Sequence, residues 1–178
     1  MAFSIAGGAA INVNSQGELA LQNHVTISNG ISVSGGRLSF ENGNGGVYAG
    51  PIAVGSGGME ISLQDWYGST VRSGSISGTI TGSGTINVDS GIGANGTLTL
   101  KGFDAKASSA DIVLNNANLA MDSSTGTAAA SVTRGNSLTI NTGNVNVTGV
   151  ASQNTNDVFG TLNFALGANQ TGYSTWTL

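Results

Sequence analysis

Acidic side chains are the groups in this sequence best suited to chemistry. The chain carries nine carboxylates in 178 residues. A polysaccharide lyase or hydrolase needs two carboxylates held close together, with an Arg or Lys nearby. Glu41 and Glu60 are nineteen residues apart, a spacing that would align them on neighbouring coils of a repeating fold. However, Glu60 lies in the middle of an alternating pattern and Glu41 follows a strand into a turn, so the sequence predicts no catalytic residue.

One short segment has the character of a recognition surface. Asp65, Trp66 and Tyr67 form an acidic and aromatic loop, which is the candidate surface-recognition loop of this chain. A structural corner at which Trp66 covers the edge of the core is the favoured interpretation. Surface polysaccharide is a candidate partner of the protein. His24, the single imidazole, has no Ser or Asp partner at the spacing of a known triad, and is interpreted as an exposed strand residue.

Metal and cofactor sites are not predicted. The chain has no cysteine and one histidine, so a zinc site of the usual ligands cannot be assembled. The calcium-binding nonapeptide repeat requires Gly-Gly-x-Gly-x-Asp on successive turns. The Gly35-Gly36 and Gly45-Gly46 pairs lack the Gly and Asp that would have to follow.

Charge and hydropathy exclude two further classes of partner. The net charge is -4, and the five basic residues are scattered rather than arranged in a stripe that could neutralise phosphates. Nucleic-acid binding is therefore not expected. No apolar run is long enough to span a bilayer, so membrane insertion is not expected either. No export signal is visible at the N-terminus, and we expect such a signal to lie outside this chain.

Outward-facing Thr and Asn residues are a further candidate for a functional surface. Three Thr-x-Thr motifs, centred on Ile80, Leu98 and Trp176, would form a flat ice-binding array if they stacked on one face. Thr is also favoured on any pleated surface, which is the simpler interpretation. A set of Asn residues in the middle of strand patterns is expected to form amide ladders between coils. These residues are Asn12, Asn87, Asn146 and Asn163.

The elements that must position these side chains are short triplets of apolar, polar and apolar residues, each bounded by Gly, Asn or Ser. In a strand, alternate side chains point to opposite faces, so the outer two members of a triplet face inward together. The clearest examples are Ile11-Asn12-Val13, Leu19-Ala20-Leu21, Ile31-Ser32-Val33, Ile86-Asn87-Val88, Leu98-Thr99-Leu100, Ile112-Val113-Leu114 and Leu138-Thr139-Ile140.

The triplets recur with a period near twenty residues. Leu19 to Leu38 and Leu119 to Leu138 both span nineteen residues, and Leu98 to Leu119 spans twenty-one. A repeat of this length is typical of solenoids, in which each coil stacks on the last. The sequence therefore predicts an all-β fold: one parallel β-solenoid domain over residues 1–178, with about 20 residues per coil.

Several segments resemble a known family, the autotransporter-associated β-strand repeat. They are residues 74–84 (GSISGTITGSG), residues 96–101 (GTLTLK) and residues 160–167 (GTLNFALG). The resemblance implies a right-handed parallel β-helix that is exported to the bacterial cell surface, as in passenger-type surface proteins. It carries over no catalytic residue. The family's Thr-Tyr-Thr-Gly segment is replaced here by the residues from Phe103 to Lys106.

We therefore expect a non-enzymatic, extracellular structural solenoid that acts as a stalk, an adhesin segment or a self-assembling filament subunit. The alternatives are a polysaccharide-active enzyme or carbohydrate-binding module, and an ice-binding surface. Residues 1–10 are interpreted as a capping or donor strand, and residues 173–178 as an exposed terminal strand. The expected partners are a second copy, joined end to end, or neighbouring coils of a larger chain. The residues expected to mediate self-association are Phe3, Ile5, Tyr173, Trp176 and Leu178.

Overall fold

The computed structural model describes residues 3–5, 7–41, 45–65, 70–91, 96–102, 107–124, 131–150, 156–164 and 175–177. Within these ranges the chain is all β, with nineteen strands numbered β1 to β19 along the chain. None of the described residues belongs to a helix that could cross a membrane.

The strands form three parallel sheets, A, B and C, that the chain visits in turn. Sheet A contains β1 (Phe3–Ile5), β4 (Val25–Ile27), β7 (Gly46–Tyr48), β10 (Gly74–Ile76), β13 (Gly96–Lys101), β15 (Ala117–Asp122), β17 (Asn144–Thr148) and β19 (Thr175–Thr177). Sheet B contains β2 (Ile11–Asn14), β5 (Ile31–Ser34), β8 (Ile52–Val54) and β11 (Ile80–Thr81). Sheet C contains β3 (Glu18–Gln22), β6 (Gly36–Glu41), β9 (Met59–Ser62), β12 (Ile86–Asp89), β14 (Ala107–Asn115), β16 (Ser131–Ile140) and β18 (Asn156–Phe164). The predicted parallel β-solenoid is confirmed.

The length of a coil varies along the solenoid. Leu19 pairs with Leu38, nineteen residues later, which matches the period expected from the sequence. Ile86 pairs with Ile112, twenty-six residues later, whereas Leu98 pairs with Leu119 after twenty-one, so coil length changes from one coil to the next. Leu119 lies in sheet A and Leu138 in sheet C, so their spacing of nineteen residues does not measure a coil.

The cross-section changes from three sheets to two after β11. The first four passes of the chain visit sheets A, B and C, and the next three visit only A and C. Strands β14, β16 and β18 are nine or ten residues long, and each of the two ladders between them contains a register shift. A β-bulge bends the strand that carries it. These long, bent strands therefore extend the wall of sheet C where sheet B ends.

The core is built from the inward apolar residues of the triplets. In β13 the inward Leu98 and Leu100 are 2% and 1% exposed, while the outward Thr97 and Thr99 are half-buried. The same alternation produces a continuous core from Val13 to Val145. Burial of about 25 cal/mol per Å² of apolar surface makes this column the main source of stability.

Phe40 is accommodated in the core by two glycines of sheet A. A Cβ atom on Gly74 would overlap the Phe40 ring, and one on Gly46 would lie 3.0 Å from it. The ring also packs edge-on against Tyr48, with 5.2 Å between the ring centroids. The Tyr48 hydroxyl lies 2.6 Å from the carbonyl oxygen of Leu19, and burial raises the pKa of that hydroxyl. Large and small side chains therefore alternate between facing sheets.

A buried ion pair lies inside the later coils. Arg134 is the extra residue of the bulge between Thr133 and Gly135, and its side chain is fully buried. Its Nε donates to the carboxylate of Asp157. The two terminal nitrogens donate to the Gly102 carbonyl (2.8 Å) and the Ser123 hydroxyl (2.6 Å). One guanidinium thus links segments from three successive coils.

We predict that Gly74→Ala destabilises the fold by about 1–3 kcal/mol, because the added methyl group must displace the Phe40 ring. Adding Phe40→Leu should recover part of this loss. Gly8→Ala is the control, since a Cβ at that exposed position contacts nothing. The measurement is the denaturant midpoint of unfolding. Equal midpoints for Gly74→Ala and Gly8→Ala would contradict the described packing.

We also predict that Asp157→Asn costs about 3–5 kcal/mol, the usual loss when one partner of a buried ion pair is removed. Arg134 would then keep its charge inside the core without a counter-charge. The control is Asp111→Asn, because Asp111 is half-exposed on the same sheet and receives hydrogen bonds from Ser137 and Asn136. The free energy of unfolding of both variants is measured by chemical denaturation. A loss no larger than that of the control refutes a stabilising role for this pair.

Candidate functional site

A hairpin projects from the coil between β9 and β10. Gln64 and Val71 form an antiparallel bridge, and the Asp65 amide donates to the Thr70 carbonyl at 2.9 Å. The Arg72 amide donates to the Leu63 carbonyl, and this hydrogen bond joins the two ends of the insertion. We call residues 63–65 and 70–72 the hairpin arm.

Asp65 holds the base of this arm together. Its carboxylate accepts a hydrogen bond from the Thr70 amide at 3.2 Å and lies 3.7 Å from a terminal nitrogen of Arg72. Asp65 is 8% exposed, so it faces its own hairpin more than solvent. Trp66 and Tyr67 lie outside the described residues, and the recognition role of this loop stays a prediction.

An acidic pocket of about 200 Å³ lies beside the hairpin arm, against the outer face of sheet C. Its lining residues are Glu18, Arg37, Glu41, Ser62, Gln64 and Asp65. Strands β3, β6 and β9 position the first four of these, and the arm supplies the last two. Three carboxylates and one guanidinium therefore converge on a cavity large enough for part of a sugar ring or several waters.

Arg37 pairs with one carboxylate of this pocket, Glu18, and with Glu60, which does not line it. Glu18, Arg37 and Glu60 lie directly opposite one another on β3, β6 and β9. The Arg37 Nε atom is 3.1 Å from Glu60, and a terminal nitrogen is 4.0 Å from Glu18. Opposite charges placed directly across parallel strands stabilise the register. These side chains are partly exposed, so each pair contributes little to stability.

Glu41 has the most unusual environment in the pocket. It is 5% exposed, and its pKa is raised above the ordinary carboxyl range by burial and by the nearby charge of Glu18. Asp65 raises the pKa further, while the nearby Ser39 hydroxyl and the charge of Arg37 oppose the shift. A carboxyl group that retains its proton can act as a general acid. The pocket thus places one carboxyl of raised pKa, that of Glu41, beside the carboxyl groups of Glu18 and Asp65.

The alignment of Glu41 with Glu60 that their spacing would allow does not occur. Glu41 lies opposite Gln22, and Glu60 lies opposite Arg37. The two carboxylates are therefore offset by four residues along the strand direction. Sequence reasoning missed the convergence of Glu18, Glu41 and Asp65, because only the register and the hairpin arm bring them together.

Other predicted sites are dispersed over the solenoid. Two Thr pairs lie in sheet A, on β13 and β19, but β15 and β17 separate them and present Asn118, Ala120, Asn144 and Asn146 at the equivalent positions. The third pair belongs to the β11 region of sheet B. The described strands therefore do not assemble the three Thr pairs into one array. His24 is exposed in a turn with a φ of 59°, rather than in a strand.

Three of the five residues predicted for self-association, Phe3, Ile5 and Trp176, belong to the two terminal strands of sheet A. Strand β1, which contains Phe3 and Ile5, pairs with β4 of the same chain. Strand β19, which contains Trp176, pairs with β17. Both strands are terminal in the order of sheet A, whereas Tyr173 and Leu178 lie outside the described residues.

No group of three or more His, Asp or Glu side chains in the described part of the chain is arranged to hold a metal ion. The carboxyl groups of the acidic pocket can transfer protons and accept hydrogen bonds from a polar ligand.

We predict that Glu41→Gln raises the melting temperature at about pH 8 and has little effect at about pH 4. A raised carboxyl pKa favours folding while the group is protonated, and this contribution is lost as the pH rises through the folded-state pKa. Glu60→Gln is the matched control: it removes an exposed ion pair with Arg37 and should give no gain at either pH. A lower melting temperature for Glu41→Gln at both pH values contradicts the assigned environment.

Comparison of the chain with protein-family models, with curated proteins and with solved structures finds no match. The resemblance to the autotransporter-associated repeat therefore stays a prediction. Of its segments, Gly96–Lys101 coincides with β13, and residues 160–164 form the end of β18.

Proposed function

We propose that this chain is a non-enzymatic structural solenoid of the bacterial cell surface, which serves as a rigid stalk, adhesin segment or filament subunit. The observation that carries the proposal is the unbroken stacking of parallel strands along the whole described chain. Eight strands in sheet A, at about 4.8 Å per step, give a rod about 34 Å long. A ladder of this kind transmits load through backbone hydrogen bonds.

The charged residues support this proposal, because most of their side chains form ion pairs or hydrogen bonds within the solenoid. All three arginines of the chain take part in ion pairs within it. Hydrogen bonds from Ser137 and Asn136 lower the pKa of Asp111, and a hydrogen bond from Ser124 lowers that of Asp122. Asp111 and Asp122 thus stabilise a neighbouring coil and a turn, and neither lines the acidic pocket.

The outer surface of sheet A also suits a spacer. The outward positions at its centre are occupied by small residues, Thr26, Val47, Ser75, Thr99 and Ala120. This column presents hydroxyl and methyl groups and no charge. Such a surface is poor at recruiting partners by hydrophobic contact, which favours a lateral wall that stays solvated.

A second candidate function is recognition or cleavage of a polysaccharide at the acidic pocket. The observation that favours it is the protonatable Glu41 beside Glu18 and Asp65. In this alternative Glu41 would donate a proton to a glycosidic oxygen.

The two candidates are separated by incubating the protein with acidic and neutral polysaccharides and measuring the release of reducing or unsaturated sugar. The structural proposal predicts no release, and protease treatment of intact cells should digest the protein at their surface. Sugar release that Glu41→Gln abolishes and Glu60→Gln retains would overturn the structural proposal in favour of the enzyme.

A further inference from the structure

The acidic pocket has fewer cations than carboxyl groups around it. Among the described residues that line the pocket, Arg37 is the one cation, and its guanidinium lies 3.1 Å from Glu60 and 4.0 Å from Glu18. The Asp65 carboxylate lies 3.7 Å from the guanidinium of Arg72 in the hairpin arm. Two guanidiniums thus pair with three carboxylates before the remaining carboxyl group of the pocket is counted.

That remaining group is Glu41, and neither guanidinium forms an ion pair with it. Glu18 and Asp65, which carry like charges, affect the pKa of Glu41 more strongly than Arg37 does. Glu41 is also 5% exposed, so water screens its charge less than that of an exposed carboxylate. A positive charge placed beside Glu41 would therefore be strongly favoured.

A buried hydroxyl faces the same pocket without a hydrogen-bond partner. Ser39 is 1% exposed, and its Oγ atom has no hydrogen-bond partner in the described part of the chain. It alternates along β6 with the inward Leu38 and Phe40, so its side chain lies on the outer face of sheet C. Glu41 of the same strand and Ser62, directly opposite on β9, share that face and line the pocket. A buried hydroxyl is stabilised when a ligand supplies the hydrogen bond it lacks.

The other lining residues indicate what kind of molecule carries the positive charge. All six described lining residues are polar or charged, and Ser62 and Gln64 contribute a hydroxyl and a carboxamide. An aliphatic stem would gain no apolar contact from them, whereas the hydroxyl groups of a sugar can form hydrogen bonds with both. The cavity of about 200 Å³ accommodates part of one sugar ring.

From these observations we infer that the acidic pocket binds the primary ammonium group of an amino sugar, as carried by a polysaccharide whose amino groups are not acetylated. The ammonium group lies between Glu41 and Ser39, and donates hydrogen bonds to the carboxylate and to Oγ. The ring hydroxyls contact Ser62 and Gln64. The inference rests on the adhesin form of the proposed function, names its ligand class, and requires no bond to be cleaved.

Titration of the full chain with glucosamine at about pH 7 and low salt, followed by NMR, tests the site. We expect saturable one-to-one binding with a Kd on the order of 1 mM, as is usual for a ligand of this size. N-acetylglucosamine has the same ring without the positive charge. It should bind about tenfold more weakly or worse, because it lacks the charge-assisted hydrogen bond to Glu41.

Two variants test the residues assigned to the ammonium group. Glu41→Gln keeps the side-chain shape but removes the charge, and should weaken glucosamine binding about tenfold or more. Ser39→Ala should weaken it about three- to tenfold, the effect of one lost hydrogen bond. Asp111→Asn is the control, because Asp111 lies on sheet C but does not line the pocket. Melting curves show which variants fold, and the comparison of the two sugars on the unaltered chain remains if one does not.

Four results would overturn the inference. They are no saturable binding of glucosamine, equal binding of N-acetylglucosamine, binding that Glu41→Gln leaves unchanged, and tighter binding of Nα-acetyl-lysine amide than of glucosamine. The last would assign the pocket to an amine carried by a protein. None of the four alters the structural role, because that role is tested by sugar release and by surface exposure.

Discussion

Register between successive coils is the constraint on which the rest of the structure depends. Each inward side chain must lie over an inward side chain of the preceding coil, because a slip of one residue would turn the apolar set outward. Parallel pairing transmits this requirement from β3 to β18 through every strand of sheet C. The core, the cross-strand ion pairs and the acidic pocket are all consequences of where this register places each strand.

The triplet pattern was sufficient to predict the fold class and the inward residues, because alternation is a local property of a strand. Coil length was less predictable. The pair Leu98 and Leu119 has both the predicted spacing and the observed register. Leu119 and Leu138 have a similar spacing but belong to different sheets. Insertions such as the hairpin arm, and the replacement of sheet B by long bent strands, change coil length without altering the triplets.

The site was less accessible to sequence reasoning than the fold. The Asn residues predicted to form ladders occupy the middle of strands, and of these Asn163 bonds to a neighbouring coil, through Thr139. The amide ladders that the structure contains join Asn141 to Asn115 and Asn144 to Asn118, near strand ends. The acidic pocket likewise depends on register and on a hairpin that approaches sheet C from outside the strand pattern. Neither feature has a local sequence signal.

The buried guanidinium of Arg134 affects the order in which the coils can stack. Coils built from interchangeable apolar triplets could stack after skipping one, since Leu, Ile and Val side chains tolerate many neighbours. Arg134 opposes such mis-stacking, because the carboxylate that neutralises it is that of Asp157, which belongs to β18. A mis-stacked chain would enclose a bare cation, at a large free-energy penalty. The single charge of Arg134 therefore destabilises every arrangement in which the last coils stack in the wrong order.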